Sequence, residues 1–187
     1  MVATSLRSVL RADFAAMAEG ENLTTGRIAA RIGVHARWRA VLVWRVAQHL
    51  FSSRSGKPLS LWLTDRVLSF SGAELQPKSA VGPGLVLKHT TGLVVGGEVV
   101  AGKRLTLHQN VTLGDRRPFG GQPVLGDDVT VGAGACVLGP ITIGDRVLVA
   151  ANAVVLDDVP DDSVVAGAPA RIIRQRSPVR EARVGQR

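Results

Sequence analysis

The side chains of this chain best suited to moving a proton near neutral pH are its four histidines, His35, His49, His89 and His108, because imidazole is the group whose ordinary titration falls there. His89 stands in Lys88-His89-Thr90-Thr91-Gly92, where an imidazole could act as a general base on a hydroxyl. His35 and His49 fall in segments of helical spacing, which leaves too few imidazoles on the repeat described below for a three-histidine zinc site, so no metal is expected. Cys136 is the only cysteine, which excludes an intrachain disulfide and a cysteine-based metal site. By its register it points outward and is read as incidental, not as a nucleophile. Arg116 and Arg117 form a pair that could hold a carboxylate or phosphate or could equally be a solvated loop pair.

These groups must be positioned by a repeat. Large aliphatic residues recur every six positions at Leu75, Val81 and Leu87, resume after a two-residue insertion at Val95, Ala101, Leu107 and Leu113, and return at Leu125, Val131, Val137, Ile143, Val149 and Val155. A second apolar series follows four residues behind: Leu85, Val99, Leu105, Val111, Val129, Ala135, Ile141, Val147 and Ala153. A period of six fits neither an α-helix nor an alternating strand, but it fits a short strand plus a tight turn, three of which close a triangular coil. The glycines after the aliphatics (Gly82, Gly96, Gly102, Gly114, Gly126, Gly132, Gly144) are expected to make the corners, by a sharp bend or a positive φ. A β-sandwich, with strands about 8–12 residues apart, does not fit. The segment from Asp115 to Pro123 interrupts the hexads and reads as a loop.

Upstream, Leu6 to Met17 and Thr25 to Leu50 carry helical spacing, the latter with a stripe of Ile28, Ile32, Val34, Trp38, Val41, Leu42, Arg45, Val46 and Leu50. Leu59 to Phe70, introduced by Pro58 and closed near Gly72, reads as a further helix. The expected fold is therefore mainly β, a left-handed parallel β-helix of hexapeptide repeats with an N-terminal α-helical cap. Its divisions are residues 1–72 helical, 73–170 β-helix, and 171–187 a basic, disordered tail.

The blocks Val81 to Gly96, Asn110 to Gly114, Pro123 to Gly139 and Val164 to Ile173 together resemble the serine O-acetyltransferases of the hexapeptide-repeat acyltransferase superfamily. The resemblance spans about Arg37 to Ile173, and the His89-Thr90-Thr91-Gly92 step with its insertion narrows it to that branch. It implies acetyl transfer from acetyl-CoA, a co-substrate and not a resident cofactor, to an acceptor hydroxyl. His89 would be the general base and Glu74, in place of the family's usual Asp, the carboxylate that orients it. Gly114, Ala133, Gly134 and Ala151 match donor-binding positions where small residues allow close approach, and Arg171 or Arg174 would reach the CoA phosphates.

The departures fall on the acceptor side. Lys88 stands where the family commonly has Asp, Gln122 where it has a second His, and an Asp-Pro pair lacks a clear counterpart between Gly20 and Thr25. Lys88, His108, Arg116, Arg117 and Gln122 are the candidate acceptor-binding residues. L-serine, a sugar or polysaccharide, and a natural-product alcohol all stay open as acceptors; a catalytically inactive trimeric scaffold is the alternative of another class. The resemblance also implies a homotrimer, while a chain closing on Gly185-Gln186-Arg187 lacks the terminal Ile by which some relatives dock a cysteine synthase.

Composition agrees with these expectations. The net charge is +8 over 187 residues, and the segment from Arg171 to Arg187 holds six arginines against Glu181. Such a tail could grip nucleic acid or an anionic membrane, but a solvated end is the expectation, with neither partner. With no secretory signal and no long apolar run, a soluble cytoplasmic protein is expected.

Overall fold

The computed structural model describes residues 5–21 and 23–175. Four helices come first: α1 (Leu6–Met17), α2 (Thr25–Val34), α3 (Ala36–Phe51) and α4 (Lys57–Ser71). Local chemistry sets their ends. The Ser5 and Thr24 hydroxyls accept the N–H groups of Ser8 and Arg27, each satisfying a donor of a first helical turn. Gly72 closes α4 in the left-handed region at φ 69°, a conformation that costs glycine little.

The rest winds as five turns of parallel β-solenoid. The first three turns run β1 (Glu74–Leu75), β2 (Ala80–Val81), β3 (Val86–Leu87); β4 (Val94–Val95), β5 (Val100–Ala101), β6 (Thr106–Leu107); and β7 (Thr112–Gly114), β8 (Val124–Leu125), β9 (Thr130–Val131). The fourth runs β10 (Cys136–Leu138), β11 (Thr142–Ile143), β12 (Leu148–Val149), and the chain closes with β13 (Val154–Val155), β14 (Ser163–Gly167) and β15 (Ala170–Gln175). Every third strand stacks, giving one face of β1-β4-β7-β10-β13, a second of β2-β5-β8-β11 and a third of β3-β6-β9-β12-β14. Register keeps like on like, as in Leu87 on Leu107, Leu107 on Val131 and Val131 on Val149. Both apolar series of the hexads lie inside and buried, each fully buried aliphatic contributing on the order of 1.5–3 kcal/mol.

Of the two grounds expected for the glycines after the aliphatics, a sharp bend or a positive φ, the second does not hold. Gly82, Gly96, Gly102, Gly126, Gly132 and Gly144 do not take positive φ; that conformation falls two residues on, at Gly84, Arg104, Asp128 and Arg146. Close approach between coils is what demands glycine. A Cβ on Gly126 would lie 2.2 Å from Asp145 Oδ1, and one on Gly82 2.5 Å from the Gly102 carbonyl oxygen. The carboxylates responsible form a ladder: Asp127, Asp145 and Asp161 accept the N–H groups of Lys103, Asp127 and Asp145 in the coils beneath.

Two further expectations are corrected. The helical segment from Thr25 to Leu50 is broken at His35, whose backbone is extended (φ −102°, ψ 118°), so α2 and α3 are separate helices. Residues 171–175, placed in a disordered tail, form most of β15, which pairs antiparallel with β14. The remainder of that basic segment, including Arg176, Arg180, Arg183 and Arg187, lies outside the described residues.

A buried ion pair fastens the cap to the first coil. Arg45 of α3 reaches Asp13 of α1 at 2.8 Å and donates to the carbonyl oxygens of Val81 and Gly82, each at 2.7 Å. The other Asp13 oxygen accepts the N–H groups of Gly84 and Leu85 at 2.8 and 2.9 Å. The pair is buried but not stranded, since each charge has hydrogen-bond partners in the coil.

Candidate active site

The edge of the prism where the third face turns into the first carries most of the singled-out residues. In successive coils it reads Lys88-His89-Thr90-Thr91-Gly92, His108-Gln109-Asn110, Gly132-Ala133-Gly134 and Ala150-Ala151-Asn152. The corners are laced by backbone bonds, from Asn110 N–H to Thr91 O (2.9 Å), Gly134 N–H to Gln109 O (3.0 Å) and Asn152 N–H to Ala133 O (2.8 Å). Only the first corner holds the two-residue insertion. The extra length carries His89 to the surface, where it is exposed and makes no hydrogen bond among the described residues.

From His89 the edge runs on as small residues. Ala133, Gly134 and Ala151 lie along it, and Arg171 sits beyond its far end, on β15 opposite Ala166 and 3.8 Å from Asp157. Coils stack about 4.8 Å apart, so four coil steps from His89 to the β14 level span roughly 19 Å, the length scale of an extended pantetheine arm. Arg174 is on the same strand, opposite Val164. Gly114 ends β7 on a different corner, buried and bonded to Gly139 N–H, and is not part of this edge.

Glu74 begins the first face one coil below the His89 corner. It is exposed, and its carboxylate accepts from Gln76 Nε2 at 2.9 Å and not from His89. Arg116, Arg117 and Gln122 are on the loop between β7 and β8, at another corner, and do not meet His89 within the chain. Gln122 is bonded to the coil beneath it, accepting the Glu98 N–H at 2.8 Å. Cys136 lies half-buried between Thr112 and Val154 on the first face.

The helical cap supplies the opposite wall. An open cleft of about 450 Å³ lies between the α2–α3 break (His35, Ala36, Arg37) and the corner Lys88-His89-Thr90. A smaller polar pocket of about 170 Å³ shares His35 and Arg37 and extends to Glu19, Glu21, Arg31 and Trp38. Lys88 is ion-paired with Glu19. The Lys88 hydrogen bond, and then its charge, hold the Glu19 carboxyl below its usual range against the opposing effect of burial. His108, stacked one coil above Lys88, has its pKa lowered first by burial and then by the charges of Lys88 and His89, so its own imidazole is held toward the neutral form. Glu19, His35 and Arg37 were not anticipated as site residues. The available signal was Gly33 inside a helical pattern, where a break or cap is expected.

Stacked hexapeptide coils define the hexapeptide-repeat fold class, here with an exposed imidazole at the head of a small-residue edge. The family model "Bacterial transferase hexapeptide (six repeats)" matches residues 122–157. "Serine acetyltransferase 2" of Arabidopsis thaliana is 34% identical over 139 residues, 73% of this chain and 43% of that protein. The soybean serine acetyltransferase apoenzyme superposes with a TM-score of 0.81 at 36% identity, covering 90% of this chain and 69% of that one. The Brucella abortus serine acetyltransferase in complex with coenzyme A gives a TM-score of 0.81 at 33% identity, covering 91% and 68%. The chain belongs to the serine acetyltransferase-like branch of the hexapeptide-repeat acyltransferases, and its solenoid is the left-handed parallel β-helix of that superfamily. It spans about two fifths of the length of the plant relatives it matches. No helix among the described residues is long and apolar enough to cross a membrane, and they contain no cluster of three or more His, Cys, Asp or Glu that could hold a metal ion.

Proposed function

We propose that this chain is an acetyl-CoA-dependent O-acetyltransferase with His89 as its general base. The observation that carries the reading is the position of His89, exposed and unbonded at the head of an edge lined by Ala133, Gly134 and Ala151. An imidazole nitrogen takes the proton of the acceptor hydroxyl as its oxygen attacks the thioester carbonyl carbon. The tetrahedral intermediate then collapses, the C–S bond breaks, and the imidazolium returns the proton to the departing CoA sulfur. Glu74, on the same edge one coil below, would leave Gln76 to accept the other ring N–H and stabilise the imidazolium.

Donor binding would use the backbone of the small-residue edge, where Gly and Ala allow close approach, with Arg171 and Arg174 toward the phosphates. The donor edge is open along its length, and on the second face, across the prism from that edge, the paired outward-facing Val100 and Val124 are 43% and 44% exposed. Both features support a homotrimer whose neighbouring subunit completes the site, bringing Arg116, Arg117 and Gln122 toward another chain's His89. Serine is the substrate named for the similar enzymes; sugar and other alcohols are the remaining acceptor class, and the single free cysteine suits a cytoplasmic setting.

The test is CoA thiol release by the purified protein with a panel of alcohols, wild type against His89→Ala. Turnover reduced at least about a hundredfold by the substitution is the expected result. Acetyl-CoA binding without turnover, unchanged in His89→Ala, would instead make the chain an inactive trimeric scaffold.

A further inference from the structure

The cleft facing His89 has a charge pattern that bears on which alcohol enters it. Lys88 is spent on Glu19, and Arg31, in the adjoining pocket, is spent on Glu21. Among the described residues Arg37 has no carboxylate within ion-pair distance, lying only near enough to Glu19 for a weak charge effect, and makes a single hydrogen bond, from Nη1 to the Lys88 carbonyl oxygen at 3.3 Å. Its guanidinium is half-buried on the cleft wall opposite His89, with most of its five donors unused. Two further features flank it, one at the cleft and one in the adjoining pocket. The first turn of α3 begins at Ala36 with no side-chain cap from His35, leaving the positive end of the helix on the cleft. Trp38, fully buried and lining the adjoining pocket, has an indole N–H without an acceptor. The cleft thus presents an unspent guanidinium and an uncapped helix start, while Glu19 and Glu21 in the adjoining pocket are each already paired.

We infer that Arg37 is an anion clamp for the acceptor, and that the acceptor is a hydroxy acid carrying a carboxylate but no ammonium beside its hydroxyl. This rests on the acetyltransferase reading and sharpens its substrate class. A guanidinium meets a carboxylate with two parallel hydrogen bonds, which would fix the hydroxyl toward His89. An ammonium in the same place would face Lys88 and Arg37, with Glu19 already bonded to Lys88.

Four small alcohols separate the possibilities: L-glycerate (carboxylate only), L-serine (carboxylate and ammonium), ethanolamine (ammonium only) and glycerol (neither). The expected kcat/KM order places glycerate first and ethanolamine last. Arg37→Met should raise KM for glycerate by about tenfold to a hundredfold, the worth of a charged hydrogen-bonded contact, and should erase most of the preference for glycerate over glycerol in kcat/KM. Arg37→Lys should recover part of the loss. Ethanolamine surpassing glycerate, or an Arg37→Met enzyme with unaltered KM for glycerate, would overturn the clamp, and serine surpassing glycerate would overturn the exclusion of an ammonium; either leaves the transferase standing. If none of the four alcohols is acetylated, titrating glycerate into the CoA-loaded protein decides: binding lost in Arg37→Met keeps the clamp and moves the failure to the transferase reading, and absent binding overturns the clamp.

Discussion

Replacing Asp13 with Ala should rank among the costliest single substitutions in the chain, and the cost can be worked from its contacts. Asp13 is fully buried and holds Arg45 Nε at 2.8 Å and Arg45 Nη2 at 3.2 Å. Removing one partner of a buried pair typically costs ~3–5 kcal/mol. The N–H groups of Gly84 and Leu85 also lose their acceptor, at ~1–3 kcal/mol each. Against this, Val81 O, Gly82 O and Gln48 Oε1 still hold the guanidinium, which keeps the sum near the low end, about 5–6 kcal/mol. For a domain of this size each kcal/mol lowers the melting midpoint by ~2–4 °C, so a fall of roughly 10–20 °C is expected in thermal circular dichroism.

Asp13→Asn separates the contributions, because it keeps an oxygen for the two amides while removing the charge, and about half the penalty should return. The functional readout follows from geometry. Glu19 lies just beyond the end of α1 and pairs with Lys88, so loosening α1 should weaken acceptor binding before it weakens acetyl-CoA binding. A penalty for Asp13→Ala below about 1 kcal/mol in urea titration, or an Asn variant as damaged as the Ala one, would refute this account of how the cap is held.

Gly126→Ala should cost about 1–3 kcal/mol by overpacking, since its Cβ would lie 2.2 Å from Asp145 Oδ1. Gly26→Ala in α2, with nothing within 4 Å, should gain roughly 0.5–1 kcal/mol; urea midpoints of the two variants moving the same way would contradict the stacking argument. His108 has its pKa lowered in the folded chain by burial and by Lys88 and His89, so the unfolded chain protonates first. Stability should therefore fall as pH drops below about 6.5, with the loss complete below the folded midpoint. Lys88→Met should move that midpoint up toward 6.5 in a histidine NMR titration, and an unmoved midpoint would contradict the charge contribution. Ala151→Glu, at an exposed edge position, should weaken CoA binding by about tenfold or more, 1.4 kcal/mol, in calorimetry while leaving the melting temperature in place; unaltered affinity would remove Ala151 from the donor site.

The solenoid was legible because its determinants are local and repeated. Each coil solves the same packing problem with the same hexad, so Leu87, Leu107, Val131 and Val149 announce one another in sequence and stack in register. The reason for the glycines was not legible. A period shows that glycine is needed but not whether backbone angle or a carboxylate from the next coil excludes the Cβ. The break at His35 was hidden for a related reason. Its flanks are both amphipathic, so the apolar stripe continues across a residue whose own backbone is extended. Similarly, Arg171 to Gln175 reads as a charged tail, because an edge strand with exposed side chains has no apolar pattern to reveal it.

The candidate site divides along the same line. His89 and the small residues that follow it lie on one edge of the repeat, where an insertion of two residues in a strict hexad is visible and its consequence, an imidazole pushed outward, follows from geometry. The groups across the cleft belong to the cap, and sequence spacing within either half cannot encode how two halves dock. Arg45 is the one residue that signalled the docking, a charge on an apolar stripe that had to find a buried partner, and its partner Asp13 is 32 positions away. The His89 corner and the small-residue edge are thus fixed by a repeat whose every coil constrains the next, whereas Glu19 follows the end of α1, His35 is the break between α2 and α3, and Arg37 lies in the first turn of α3, all outside the hexads. If the proposed transferase reading holds, the cap would be the chief selector of the acceptor, and exchanging cap residues at positions 19, 35 and 37 should alter which alcohol is acetylated while the response to acetyl-CoA stays constant.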